Sequence, residues 1–455
     1  MSGPVSIRAG RTLGQSLIVV MLFEQMWATE GTSGGTVNNI NGNLNIQGDY
    51  IEHVGSTRHE LNDLLRRQLK PANMDTSDRS LCLPGTRMDV LRLIQDWVDN
   101  QTSSECVLWL YGLAGSGKST IAATLAQHYR ESGQLGAFLA FDRSIDERKD
   151  PKLVVRTIAF QTGTIDLRIG KIVSESFAER PSLLSSPLAY QSRTLLVPLQ
   201  PAIADIVGSS CIVVVLDALD ECGTPESRES LLKILVEDIP NISTHIRFII
   251  TSRKEFDINF AFGNRAHIRQ VELDLTSKMA IQDIASYLRH QLVRITRQNG
   301  LEAGWPGEPT TQALLDRTNG LFIWASTSAK FLDGYNPKKQ LKLLLNTESA
   351  SGAEAAIDTL YRTALMTCGE WGEAAFVQDF KNIMGIILVA RIPLSTAAID
   401  DLSSSTWFED EDWQSCVNLI GRLGSVLISA PQNDASTRNT SSPATLTTPL
   451  SLRSA

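Results

Sequence analysis

Val107-Leu-Trp-Leu-Tyr, then Gly112-Leu-Ala-Gly115-Ser116-Gly117-Lys118-Ser119-Thr120, then Ile121-Ala-Ala-Thr-Leu-Ala-Gln-His-Tyr129: the order of these three runs decides the fold. An apolar run of strand type enters a loop of pattern G-x-x-x-x-G-K-[ST]. Ile121, Ala122, Leu125, Ala126 and Tyr129 then recur at one-turn spacing, which predicts a helix with a single buried face. A polyphosphate carries several charges and must be gripped without bulky side chains in the way. Gly112, Gly115 and Gly117 can adopt φ > 0 and bring backbone N–H groups close, and the positive end of the helix dipole points at the same spot. In this pattern Lys118 reaches the β- and γ-phosphates, the Ser119 hydroxyl serves Mg²⁺, and Ser116 and Thr120 complete the loop. A glycine turn before an ordinary helix is the plain alternative, and it leaves the Lys-Ser pair unexplained.

The second decisive stretch is Cys211-Ile-Val-Val-Val-Leu216, a continuous β-branched run of the kind buried on both faces of a parallel sheet. It ends in Asp217-Ala-Leu-Asp220-Glu221. A carboxylate at the carboxyl end of such a strand, expected beside the P-loop strand, is where a Mg²⁺ anchor belongs, so Asp217 is assigned to the metal. Asp220 and Glu221, three and four residues on, can face the γ-phosphate and orient an attacking water; alternatively they cap the next helix. A third strand, Ile246-Arg-Phe-Ile-Ile250, closes on Thr251-Ser252-Arg253. If it adjoins the Asp217 strand, Arg253 points toward the terminal phosphate. Arg253 could equally pair with an acid such as Glu221. His267–Leu273 reads as one more strand, and helical patterns over Lys152–Gln161, Ile165–Ala178, Tyr190–Ile206 and Lys278–Gln298 alternate with the strands. The class is therefore α/β, a P-loop NTPase fold with a parallel sheet flanked by helices.

With 455 residues the chain is too long for one ordinary core. A net charge of −8 offers no basic footprint for nucleic acid. The six cysteines form no C-x-x-C pair and have no histidine at ligand spacing, which argues for reduced thiols and a cytoplasmic location. The apolar window Leu17–Phe23 is too short to span a bilayer.

Composition divides the chain into an Asn/Gly-rich segment and linker helix (1–80), a nucleotide-binding domain (81–275), a small helical lid (276–350), a further helical unit (351–430) and a Ser/Thr-rich tail expected to be disordered (431–455). Within the first, Gly34–Tyr50 interleaves Val37, Ile40, Leu44 and Ile46 with six Asn or Gln residues. Such a pattern suits either in-register self-assembly through amide ladders or a flexible tether that forms at most a hairpin. The Leu61, Leu64, Leu65, Leu69 spacing predicts a helix over His59–Leu69. Farther on, Cys82-Leu-Pro84-Gly-Thr-Arg87 precedes a helical stripe ending near Trp97; the Pro84–Arg87 turn either packs on a nucleotide base or is a plain surface turn.

The P-loop, the Asp217-Ala-Leu-Asp220-Glu221 box, the Thr-Ser-Arg253 strand end and Gly320-Leu-Phe-Ile-Trp-Ala, taken in order, resemble NACHT-domain NTPases. More narrowly, they resemble the fungal set related to heterokaryon-incompatibility factors and to NOD-like receptors. The resemblance runs from about Cys82 to Leu427 and implies a signalling switch. Such a switch binds ATP or GTP with Mg²⁺, hydrolyses it slowly and forms homo-oligomers on activation, with residues 351–430 as a partial winged-helix domain. This sequence departs from the pattern after Leu427: no histidine follows His290, and no repeat array follows. A truncated gene, a splice form or a short adaptor would account for that. A non-catalytic nucleotide-binding scaffold assembling through the Asn-rich segment is the alternative function. A small-molecule kinase or an ATP-binding-cassette ATPase is disfavoured, the latter because Leu-Ser-Gly-Gly-Gln does not occur.

Overall fold

A computed structural model describes residues 37–40, 43–46, 52–74, 79–100, 102–208, 210–241, 245–334, 336–346, 353–366, 369, 371–390 and 394–406, with short stretches at 419–420, 427–429 and 450–452. Five parallel strands form its centre: β1 (Val107–Tyr111), β2 (Leu135–Ala140), β3 (Ile212–Asp217), β4 (Ile246–Ser252) and β5 (Ile268–Glu272), in the spatial order β2-β3-β4-β1-β5. Every residue of β1, β3 and β4 is buried, as their unbroken apolar runs require. Only the edge strand β5 alternates buried Ile268 with more exposed positions.

One expectation is corrected by this order. The Asp217 strand does not lie beside the P-loop strand, because β4 is inserted between them. The physical reason is the burial of β4 along its whole length: a strand with no exposed edge must satisfy its backbone groups on both sides. The pairings Tyr111↔Ser252 and Leu216↔Ile250 bring the carboxyl ends of β1, β3 and β4 level.

Helices cover both faces of the sheet. On one side α1 (Glu52–Leu69), α4 (Val154–Gly163) and α5 (Leu167–Ala178) pack Leu65, Leu69, Ile158 and Val173 against Trp109, Val214 and Phe248. On the other, α2 (Met88–Asp99) and α3 (Lys118–Glu131) pack Ile94, Trp97, Ile121 and Leu125 against Leu108, Val213 and Ile249. Helix α1 starts at Glu52, seven residues before the expected start, and shares the sheet's core. The helix expected over Tyr190–Ile206 is broken into Leu188–Leu195, a 3-10 turn Val197–Leu199 and Gln200–Val207. Pro198 and Pro201 supply no backbone N–H for a continuous ladder.

Two helices connect the later strands: α6 (Pro225–Lys233) lies between β3 and β4 in the chain, and α7 (Phe256–Phe262) between β4 and β5. Beyond β5, helix α8 (Lys278–Gln298) has the expected bounds, and it is followed by α9 (Glu308–Arg317) and α10 (Phe322–Leu332). Asn319 and Gly320 both take positive φ between them. With α11 (Pro337–Asn346) and α12 (Ala353–Met366) they enclose a second core around Leu288, Leu314, Trp324 and Leu344. A third cluster joins Ile383 and Ile387 of α13 (Ala374–Val389) to Ile399 of α14 (Thr396–Thr406). Among the Asn-rich residues, Val37–Ile40 pairs antiparallel with Asn43–Ile46. The end of the expected 351–430 unit and the Ser/Thr-rich tail lie largely outside the described residues, although Leu427–Ser429 pairs antiparallel with Leu450–Leu452.

Close helix contact on the α1 side depends on two glycines. A Cβ at Gly170 would stand 2.7 Å from the Gly163 carbonyl oxygen and 2.9 Å from Leu61 Cδ2. Gly385 in α13 meets nothing within 4 Å among the described residues. Gly170→Ala should therefore destabilise the protein by about 1–3 kcal/mol through overpacking. Gly385→Ala should be neutral or stabilising by about 0.5–1 kcal/mol. Denaturant midpoints of the two variants check the contrast.

Candidate functional site

The loop between β1 and α3 has the geometry of an anion cradle. Gly115 and Gly117 sit at φ +73° and +95°, and Gly117 is the residue on which α3 begins. No acidic side chain occupies the first turn of α3, so the positive end of its dipole is unopposed there. Gly112, expected to need φ > 0, does not take it. Its requirement is space, since a Cβ there would lie 3.2 Å from Leu273 Cβ and 3.4 Å from Ser116 Oγ. Lys118 Nζ donates to the carbonyl oxygens of Gly112 (2.8 Å) and Leu113 (2.9 Å), which holds its ammonium over the loop. Ser116 is fully buried and its Oγ has no hydrogen-bond partner among the described residues. Ser119 and Thr120 lie half-buried in the first turn of α3.

The acid turn leaves β3 two strands away and returns toward this loop. Asp217 is fully buried. Its Oδ1 accepts from Thr251 Oγ1 at 2.7 Å, and the same hydroxyl accepts from Ala218 N at 2.9 Å, fixing a backbone at φ +61°. Among the described residues Asp217 Oδ2 receives no hydrogen bond; the Arg79 guanidinium lies 3.4 Å from it, close enough to neutralise charge but too far to donate well. Asp220 Oδ1 accepts from Arg253 N at 3.0 Å, and its Oδ2 lies 3.3 Å from Arg253 Nε. Arg253 thus pairs with Asp220 rather than with Glu221, because Arg253 leaves β4 directly beside the turn. Glu221 instead accepts from Arg143 N at 3.4 Å.

These groups share one field. Burial lowers the Lys118 ammonium to about 8, with Asp220, Asp217 and Glu221 opposing the shift and Arg253 adding to it. Glu221 is raised above the usual carboxylate range, first by burial and then by Asp220 and Asp142. Lys118, Asp217, Asp220, Glu221 and Arg253, spread over 136 residues from Lys118 to Arg253, are therefore brought together at one sheet edge. A magnesium polyphosphate suits this donor set. Loop amides and Lys118 would take phosphate oxygens, and the unbonded Asp217 Oδ2 and the Ser119 hydroxyl would serve the cation. Among the described residues no three His, Cys, Asp or Glu side chains form a metal cluster, so a hard cation here would complete its shell with phosphate and water.

Sequence reasoning missed three contributors. Thr251 was legible only as part of a strand end, Arg79 as part of a polar linker, and Asp283 as an ordinary helix position. Arg87 is 5% exposed, which excludes a plain surface turn. Its backbone N donates to Asp283 Oδ2 at 3.0 Å, its Nη2 to the Ser116 carbonyl at 2.7 Å, and its guanidinium lies 4.6 Å from the Phe322 ring centroid. Ile323 N in turn donates to the Gly115 carbonyl at 3.0 Å. The α8–α10 helices therefore touch the cradle itself.

A family model described as nephrocystin 3, N-terminal, matches residues 87–253, the span from Arg87 through the loop and acid turn to Arg253. No curated protein sequence matches the chain. Solved structures similar to it include a Walker-type ATPase of Pyrococcus abyssi, with 12% identity over 78% of this chain and 94% of that one and a TM-score of 0.36. Cdc6p from Pyrobaculum aerophilum shows 13% identity over 85% and 93%, with a TM-score of 0.36. The Drosophila ORC bound to DNA shows 11% identity over 83% and 92%, with a TM-score of 0.35.

The lowered Lys118 value sets the expected pH dependence of anion binding. A polyphosphate binds the ammonium form, so affinity should hold below pH of about 8 and fall above it as the ammonium loses its proton and becomes the neutral amine. Lys118→Arg, whose guanidinium stays charged, should bind without that decline. Titrations of a fluorescent nucleotide between about pH 7 and 9.5 check both curves.

Proposed function

We propose that the chain is a nucleoside triphosphate-binding switch that hydrolyses its nucleotide slowly with Mg²⁺ and couples the phosphate count to its helical region. The observation that carries this reading is the Asp220–Arg253 pair beside Lys118. A terminal phosphate resting on Lys118 would attract Arg253 and repel Asp220, so it competes with that ion pair. A diphosphate leaves the pair intact. Two states with different nucleotide contacts follow, as a switch requires.

Magnesium, when bound, would neutralise phosphate charge between Asp217 and Ser119. Glu221, with its raised proton affinity, is suited to orient a water and accept its proton. The contacts of Arg87 and Ile323 with Ser116 and Gly115 give the helical region a direct hold on the loop. The NACHT-like order of motifs supports extending this reading to self-association in a fungal-type incompatibility or immunity pathway.

Lys118→Ala should abolish nucleotide binding. Glu221→Gln should retain binding while hydrolysis slows by about 100-fold or more. Equilibrium binding and single-turnover assays of the purified full chain check both; equal hydrolysis by the wild type and the two variants would sink the reading.

A further inference from the structure

The side chain that ties the acid turn to the arginine turn belongs to neither. Arg228, in the first turns of α6, is 2% exposed. Its Nη1 donates to three backbone carbonyls of the acid turn: Leu219 (3.2 Å), Asp220 (3.0 Å) and Cys222 (3.2 Å). Its Nε and Nη2 both donate to Asp257 Oδ2, at 2.9 and 2.8 Å. Asp257 stands four residues after Arg253, in the first turn of α7. The planar fork is thus spread over two elements, backbone on one side and carboxylate on the other.

Taken with the direct Asp220–Arg253 contacts, these bonds close a ring. It runs from the Asp220 side chain to Arg253, along the chain to Asp257, through the Arg228 guanidinium, and back to the Asp220 carbonyl. A ring of fixed bonds sets the distance between its members. The short 3-10 turn has little backbone bonding of its own, with Cys222 N donating to the Leu219 carbonyl at 3.1 Å, so the three charge-assisted bonds from Arg228 add substantially to what holds Leu219–Cys222 in place. The position of α6 is itself pinned by a capping box between Thr224 and Ser227.

We infer that Arg228 is a positioning residue for the terminal phosphate: it holds the acid turn and the Arg253 turn at the separation at which the site distinguishes a triphosphate from a diphosphate. This rests on the nucleotide-switch reading. It adds that discrimination is set from behind the site, by a group that touches no nucleotide. A lysine cannot reproduce it, since an ammonium lacks the planar geometry that reaches carbonyls and carboxylate together.

The test uses the full chain with Mg²⁺, comparing ADP with the non-hydrolysable triphosphate AMP-PNP, or the guanine pair if guanine is selected. Arg228→Lys should leave diphosphate affinity unchanged, weaken triphosphate affinity by about tenfold, the equivalent of one lost strong contact, and reduce turnover by about 100-fold through misplacement. Asp257→Asn, which loosens one side of the fork at a partly exposed position, should shift the same ratio in the same direction. It carries the test if Arg228→Lys does not fold. Unchanged discrimination and turnover would overturn the inference, as would equal loss of affinity for both nucleotides, which marks a purely structural role. Failure of the wild type to bind either nucleotide would defeat the switch reading, and this inference with it.

Discussion

The insertion of β4 between the strands that carry the loop and the acids is the constraint on which the site depends. Parallel strands buried on both faces pair in one register, and the register fixes which residues come level at the carboxyl edge. Here it brings Tyr111 beside Ser252 and Leu216 beside Ile250, so three consecutive turns open on the same side of the sheet. Gly112–Lys118, Asp217–Glu221 and Arg253 meet there without any loop having to cross the molecule. Trp109 reinforces the alignment from inside, donating through Nε1 to Ser252 Oγ at 2.7 Å, which donates to the Arg253 carbonyl at 2.7 Å.

Charge buried at that edge is compensated group by group. Asp217 has a hydroxyl and a distant guanidinium, Asp220 an arginine, Lys118 two carbonyls, and Arg228 both carbonyls and a carboxylate. None is left as an isolated ion, which would cost several kcal/mol in a site of low polarity. The compensation is unequal, however. Asp217 Oδ2 and Ser116 Oγ lack hydrogen-bond partners among the described residues. Strength elsewhere in the network and want at these two atoms are what a ligand-responsive site requires.

Much of this was legible in the sequence because the informative residues are contiguous. Gly112–Thr120 and Cys211–Glu221 each state strand, turn and chemistry in one run, and β-branched composition alone assigns β3 and β4 to the interior. What could not be read was long-range. That β4 separates β1 from β3 is a fact of pairing between segments more than a hundred residues apart. Nothing in a lone Arg79, Arg228 or Asp257 reveals a partner, since arginines and aspartates on helical patterns ordinarily face water. Gly112 was misjudged because its motif gives the residue type without saying whether backbone angle or space demands it. The break at Pro198 and Pro201 was local and readable, but the apolar spacing on either side concealed it.

The carbonyl of Gly115 accepts from the amide of Ile323 at 3.0 Å, at the start of α10. One stretch of chain thus links the loop suited to an anion with the start of a helix. A Cβ at Gly115 would stand 2.2 Å from Ile323 Cγ2, so the two segments meet at the closest approach a polypeptide allows. No rotation of that loop toward a ligand can occur without tugging the first turn of α10, and any swing of α10 must first let go of the loop. The missing side chain at this one position is what lets the loop and the start of α10 lie in direct contact.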